Sequence, residues 1–392
     1  MDIRKIGGTI QPYLWGDSYF IAQLLQKEKS VSPQAELWMG THPQGPSRII
    51  GEDLSLQEYI EHDPEKILGS SHLERFGVTL PFLFKILAIN EPLSLQVHPS
   101  SDLAVEGYRN EENKRGTVDV SDLNYKDDKQ KDEVLYALSP VTAMAGFRPL
   151  EDIRDSFSSF LTDSAHIIEP GDTVETFFRT LLNLDSKRRF EVIGSLREYL
   201  AGIKEENTSM FLSPFEIAKR ALDLYDDDIM VCAPFFLNVV HLEPGQALHV
   251  KPGTLHAYVY GHAAELMSCS DNVLRGGLTR KKVDVEELVK VVSFTSEEPT
   301  LLTSKKIGDT VERIEAGSEE FAYQIYHAGT IVQDDRRSVE LALVVEGKAT
   351  FIWEGRQLRC TKGDSVIIPA SIRGYELEND GLIISASVPL SQ

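Results

Sequence analysis

The apolar residues of this chain change their spacing twice, and that change limits the possible folds more than any other feature. Up to about residue 150 they come in short continuous or alternating runs, such as 80–87 and 93–97, broken by Pro, Gly and Asn. Runs of that length between turn residues read as strands of an antiparallel sheet, and the one helix candidate there is 53–68. From Leu150 to about Asp228 the spacing becomes threes and fours, as in Ile153-Phe157-Phe160, Val174-Phe177-Phe178-Leu181-Leu182 and Phe190-Ile193-Leu196-Leu200. Side chains at those intervals share one face of a helix, so this stretch is expected to be a helical packing or lid element. Strand character returns over 234–242, with one helical interruption at 283–292. Beyond about residue 300 the runs 338–345, 349–353 and 365–368 are separated by Gly347, Gly355 and Gly363, a spacing that suggests a sandwich or jelly roll.

Composition narrows the partners. A chain of 392 residues, 42% apolar, has material for two or three domains at about 150 residues each. Its 61 acidic and 40 basic residues give a net charge of −21, which argues against nucleic acid or an anionic membrane as partner. An anionic substrate would then need Lys and Arg gathered locally against the global field. Cys232, Cys269 and Cys360 stand far apart with no CxxC pair, so neither a disulfide framework nor a thiolate zinc site is expected. No apolar run approaches the roughly twenty residues that span a bilayer. The first eight residues lack the apolar core of a secretion signal. A cytoplasmic protein is expected.

A short internal echo supports two related β units. Gly245 opens a strand that ends at Pro252, with His256 four positions on; Gly363 opens one that ends at Pro369, with Arg373 four positions on. The last histidine in the chain is His327, so only the earlier unit has the imidazoles for a metal.

Three segments carry those ligands. In Leu93-Ser94-Leu95-Gln96-Val97-His98-Pro99, Gln96 and His98 lie two apart on a strand, so their side chains face the same way about 6–7 Å apart. His256 follows a Pro-Gly turn at the start of another strand, and Glu133 stands where a polar loop gives way to an apolar strand. Two imidazoles, a carboxylate and an amide oxygen make a plausible site for a borderline ion such as Zn²⁺. Their single negative charge leaves the ion a formal +1, a strong Lewis acid able to polarise a substrate oxygen.

The run 265–282 adds Arg275, Arg280, Lys281 and Lys282 around a Gly-Gly turn, in a chain that is acidic nearly everywhere else. Arg offers a planar fork to phosphate and Lys a point charge. Arg275, beside the glycines and ahead of the helical stretch, is the better functional candidate.

The segments 11–16 (QPYLWG), 35–40 (AELWMG), 80–85 (LPFLFK), 93–99 (LSLQVHP), 124–133, 146–149 (GFRP), 253–258 and 265–281 (ELMSCSDNVLRGGLTRK) resemble, in order, the type I phosphomannose isomerases. The resemblance implies a mainly β fold, with cupin-type jelly-roll or β-sandwich domains and an inserted α-helical domain. The division it suggests is a zinc-containing catalytic unit of residues 1–149 plus 234–310, a helical insert of 150–233 and a metal-free cupin-like unit of 311–392. It further implies an enzyme, a monomer or weak homodimer, that interconverts mannose 6-phosphate and fructose 6-phosphate with one zinc per chain.

Carried over by motif, the zinc ligands would be Gln96, His98, Glu133 and His256. Trp15, Lys85, Ser94, Lys131, Tyr258, Glu265, Asp271 and Arg275 would line the pocket, with Lys281 at its basic edge. One departure is visible: where the family reads His-Lys-Pro-Glu, this chain reads Gln130-Lys131-Asp132-Glu133. Any role of that missing imidazole in ring opening or proton transfer cannot apply here unless His262 or another group substitutes.

Aldose–ketose isomerisation moves a proton between C2 and C1, most simply through a cis-enediol. Glu265 is the first candidate base, with Arg275 and a lysine, Lys131 among the candidates, holding charge in place. Two other readings of the same ligands stay open on the residues alone. One is an Fe(II) cupin oxygenase, the other a sugar-phosphate-binding module without turnover.

Overall fold

The computed structural model describes residues 1–119, 123–161, 167–204 and 209–389. Its strands form sheets of eleven, eight and four strands, all antiparallel in their pairing, which agrees with the mainly β expectation.

One strand organises the first unit. His256–Ser268 is 13 residues long and belongs to two layers. Beyond Gly261 it pairs with Phe82–Ile89 on one side and Glu133–Ala137 on the other. Before Gly261 it pairs with Val141–Phe147 and, at His256, with Gln96 of Leu95–Val97. Gly261, at φ 116°, is the corner, and a Cβ there would press into the Pro140 carbonyl. The two layers fold over a core that includes Leu87, Leu135, Ala143, Leu248 and Tyr258.

The second unit packs the eight-stranded sheet on the four-stranded one over Tyr326, Ala342, Phe351, Trp353, Ile368 and Leu377. The start of the chain completes it: Arg4–Gly7 pairs with Ser365–Ile368. The two units share a core through Phe84, Ile86, Val134, Ile325 and Leu341, and the Tyr323 hydroxyl donates to the carbonyls of Val134 and Ala264. The glycines of the echo, Gly245 at φ 93° and Gly363 at φ 85°, lead into strands of these separate units, Ala247–Val250 and Ser365–Ile368.

The helical insert consists of Leu150–Ser158, Val174–Leu182, Ser186–Gly202 and Pro214–Leu224, wrapped on one core with the 3-10 helix Ile229–Phe235. Its starts are written in the sequence: Ser213 with Glu216 forms a capping box ahead of Pro214, and Asp185 caps the helix that follows it. Parts of the expected helical stretch, 162–166 and 205–208, lie outside the described residues. No helix among the described residues is long and apolar enough to cross a membrane.

Three local expectations need correction. The candidate 53–68 is two helices, Leu56–His62 and Pro64–Leu68, because Pro64 cannot continue the first and the Asp63 side chain caps the second. The apolar run from 234 begins as 3-10 helix, and its strand is Leu237–Leu242. A fully buried run has no polar face to reveal its period. Phe190, placed on the apolar stripe, is 80% exposed, and Phe160 lies beyond the end of its helix.

Candidate active site

Three ligand-type side chains converge where the two layers of the first unit meet. His98 follows Leu95–Val97, Glu133 is the first residue of its strand, and His256 is the first residue of the long strand. One ligand atom of each lies within 4.8 Å of the others, and all three residues are buried.

The hydrogen bonds around the rings fix what they present. His98 donates from Nδ1 to the Asn272 carbonyl at 2.8 Å, and His256 from Nδ1 to the Thr254 carbonyl at 2.9 Å. Each Nε2 therefore carries a lone pair, and both face the same carboxylate: His98 Nε2 is 3.2 Å from Glu133 Oε1 and His256 Nε2 is 3.4 Å from Oε2. The Lys131 ammonium, 3.4 Å from His98 Nε2, offers a donor on that side of the cluster only. His256 Nε2 is buried with no hydrogen-bond partner, which is the state of a ligand atom rather than of a core histidine. Burial and the Lys131 ammonium bring the His98 imidazole down to about 4, so it is neutral and able to ligate at neutral pH. The donor set fits a divalent ion.

Above this cluster opens a cleft of about 780 Å³. Trp15, Lys85, Ser94, Gln96, Lys131, Glu133, Tyr258, Glu265, Asp271, Arg275 and Lys281 all line it. His98 and His256 sit beneath it. Strand register explains the gathering: Gln96 lies between His256 on one neighbour and Arg275 on the other, and Glu265 is paired with Lys85.

Charges in the cleft are unevenly matched. Lys131 Nζ is 2.7 Å from Glu133 Oε1, and Lys85 Nζ is 3.0 Å from Glu265 and 3.5 Å from Glu36. Burial lowers the Lys85 proton affinity, but Glu265, Glu36 and Glu133 outweigh it and hold the ammonium. Burial, with Glu133 and Glu36 close by, lifts Glu265 above the ordinary carboxylate range despite Lys85. The Tyr258 hydroxyl, buried and donating to Glu133, is held well above its usual value. Among the described residues Arg275 has no ion pair and no side-chain hydrogen bond. Burial, opposed by no carboxylate partner, lowers its affinity for its proton. A half-buried guanidinium left without a partner is free to take a substrate anion.

His262 does not stand in for the missing imidazole. Its Nε2 is 2.8 Å from Asp17 Oδ2, its ring stacks on Phe20 at 3.8 Å, and it is absent from the cleft lining. Asp132 likewise turns away, to His249 at 2.7 Å.

Sequence reasoning missed several lining residues: Tyr13, Glu36, Trp38, Gln44, Lys126, Tyr225 and Thr279. Glu36 had a readable signal, a carboxylate opening the apolar strand Glu36–Met39. Tyr225 had none, because it belongs to the insert and reaches the cleft only through tertiary packing.

Comparison with known proteins agrees with this geometry. Residues 3–150 match the model of the phosphomannose isomerase type I catalytic domain, and residues 318–388 match that of the mannose-6-phosphate isomerase cupin domain. The mannose-6-phosphate isomerase of Escherichia coli K12 is 33% identical over 393 residues, covering 95% of this chain and 97% of that one. This chain belongs to the type I phosphomannose isomerases. Human mannose-6-phosphate isomerase is 31% identical over 315 residues, with 73% of this chain and 72% of the human one covered. A crystal structure of mannose 6-phosphate isomerase bound with zinc and yttrium superposes over 100% of both chains at a TM-score of 0.91 and 31% identity. The apo form from Salmonella typhimurium gives the same TM-score and identity, also over 100% of both chains. Membership in the phosphomannose isomerases makes the chain an enzyme of the cupin class. The oxygenase and the non-catalytic sugar-binding readings are set aside.

Proposed function

We propose that this chain interconverts mannose 6-phosphate and fructose 6-phosphate by moving a proton between C2 and C1 through a cis-enediol or enediolate. One zinc ion per chain would be held by Gln96, His98, Glu133 and His256, and when bound it would supply Lewis-acid stabilisation of the charge that builds on the sugar oxygens. The same reading places the enzyme in the cytoplasm as a monomer or weak homodimer.

The protein's own residues then divide the work. Glu265 takes the proton, because its raised affinity brings a carboxylate toward the range where it both accepts and returns one. Lys85 stays an ammonium beside it and keeps the Glu265 carboxylate in place. Arg275, paired in register with Gln96 and free of protein partners, steadies negative charge on the reacting carbons' oxygens. Lys131 balances Glu133, and Lys281, exposed on the rim, meets the phosphate. Ser94, Asp271 and Tyr258 offer hydroxyl-binding groups, and Trp15 forms the wall of the cleft.

The observation that carries this reading is the meeting of a buried three-ligand cluster with an unpartnered arginine and a proton-seeking glutamate in one cleft. Glu265→Gln protein with its zinc retained should exchange the substrate C2 proton with solvent about 10²–10⁴-fold more slowly than the parent. Exchange at the parent rate would remove Glu265 from the role.

A further inference from the structure

The Arg275 wall ends in an awkward turn. Leu278, a non-glycine residue, has φ 49°, in the left-handed region, and Gly277 before it has φ 137°. A Cβ on Gly277 would run into the Met230 side chain, so the side chains of Met230 and Asp228 lie directly against the turn. A conformation of this kind persists only where its surroundings enforce it.

The enforcing group is a half-buried carboxylate that the chemistry of the cleft does not use. Asp228 closes the helical insert and caps the 3-10 helix Ile229–Phe235. Its Oδ1 accepts the Met230 N–H at 2.9 Å and its Oδ2 accepts the Leu278 N–H at 2.7 Å. The Thr279 N–H is directed to the same carboxylate. One side chain thus ties the insert to Leu278 and Thr279, the two residues just past the strand Leu274–Gly277 that carries Arg275. Tyr225 from the insert and Thr279 from the turn both line the cleft, so the tie runs along its wall.

We propose that Asp228 is a positioning residue, which acts on the reaction through the turn at Gly277–Leu278 and hence through the placement of Arg275. The helical insert then sets the geometry of the charged wall, beyond merely packing beside it. Asparagine keeps the shape of Asp228 but offers one acceptor oxygen and an NH₂ group that opposes the backbone donors. A guanidinium displaced by even a fraction of an ångström loses transition-state contact more than ground-state binding.

This inference rests on the proposed reading of the cleft, and the test separates the two. The parent, D228N, R275A and the double variant are compared, zinc-loaded, for kcat and KM with mannose 6-phosphate, and for folded fraction by thermal melting. D228N is expected to lose about tenfold in kcat with KM within about threefold, and to lose less than about twofold in the R275A background. A merely structural carboxylate would lower the melting temperature and leave kcat of the folded protein unchanged. That result, or losses that multiply independently in the double variant, overturns the inference. An inactive parent overturns the reading of the site and this inference with it. If D228N does not fold, D228E, which keeps the charge and shifts it by one methylene, enters the same cycle with the same expectation.

Discussion

Glu265 and Lys85 are direct cross-strand partners in the antiparallel register, with Nζ 3.0 Å from Oε2 and both side chains buried on the floor of one cleft. Among the influences on Glu265, burial raises its proton affinity most and Lys85 is the chief one lowering it. Removing the ammonium therefore raises Glu265 further. The basic form exists only above that value, so in a K85M variant the acid limb of the kcat/KM profile should move to higher pH. A limb that stays where the parent has it would contradict the pairing.

Gly261 separates His256 from Glu265 on a single strand, and its φ of 116° turns that strand from one layer to the other. A G261A variant should lose about 1–3 kcal/mol of stability in denaturant unfolding, from strain at a position that disfavours a side chain. Zinc affinity should fall with it, since the corner aims His256 at Glu133. Unchanged affinity in titration would mean that the ligand cluster is set by the loops instead.

In the second unit a cluster of buried polar side chains gathers on Glu340. Glu340 receives Tyr326 at 2.9 Å, Tyr375 at 3.2 Å and Arg336 Nε at 3.0 Å, all inside the sandwich. Breaking a buried pair by removing one partner typically costs about 3–5 kcal/mol, so E340A should show a loss of that order while kcat of the folded enzyme holds. A loss below about 1 kcal/mol would show that the network is not part of what holds this unit.

His262 anchors Asp17, whose Oδ1 also accepts the N–H groups of Tyr19 and Phe20 at 2.8 Å. H262N should therefore keep kcat within about twofold while lowering the melting temperature. A kcat loss beyond about tenfold would place His262 in the chemistry after all.

Much of this was written in the local sequence. The alternating and helical periods gave the β units and the insert, because each face must be buried against something. Gln96 and His98 two apart on a strand, Glu133 at a loop-to-strand junction and His256 after a Pro-Gly turn were visible for the same reason. What local pattern cannot show is pairing across the chain. Arg4–Gly7 joining Ser365–Ile368 depends on register between distant strands, as does Glu265 meeting Lys85. Tyr225 reaches the cleft, and Asp228 the Leu278 turn, only because the insert folds back onto it.

One ion, held at the meeting of His98, Glu133 and His256, would serve the isomerase cleft. This is tested most directly by measuring metal content and fructose 6-phosphate formation on the same sample, before and after chelation and after zinc is returned. The account predicts about one zinc per chain, loss of turnover on its removal and recovery when it is restored. Full turnover by metal-free protein would contradict it.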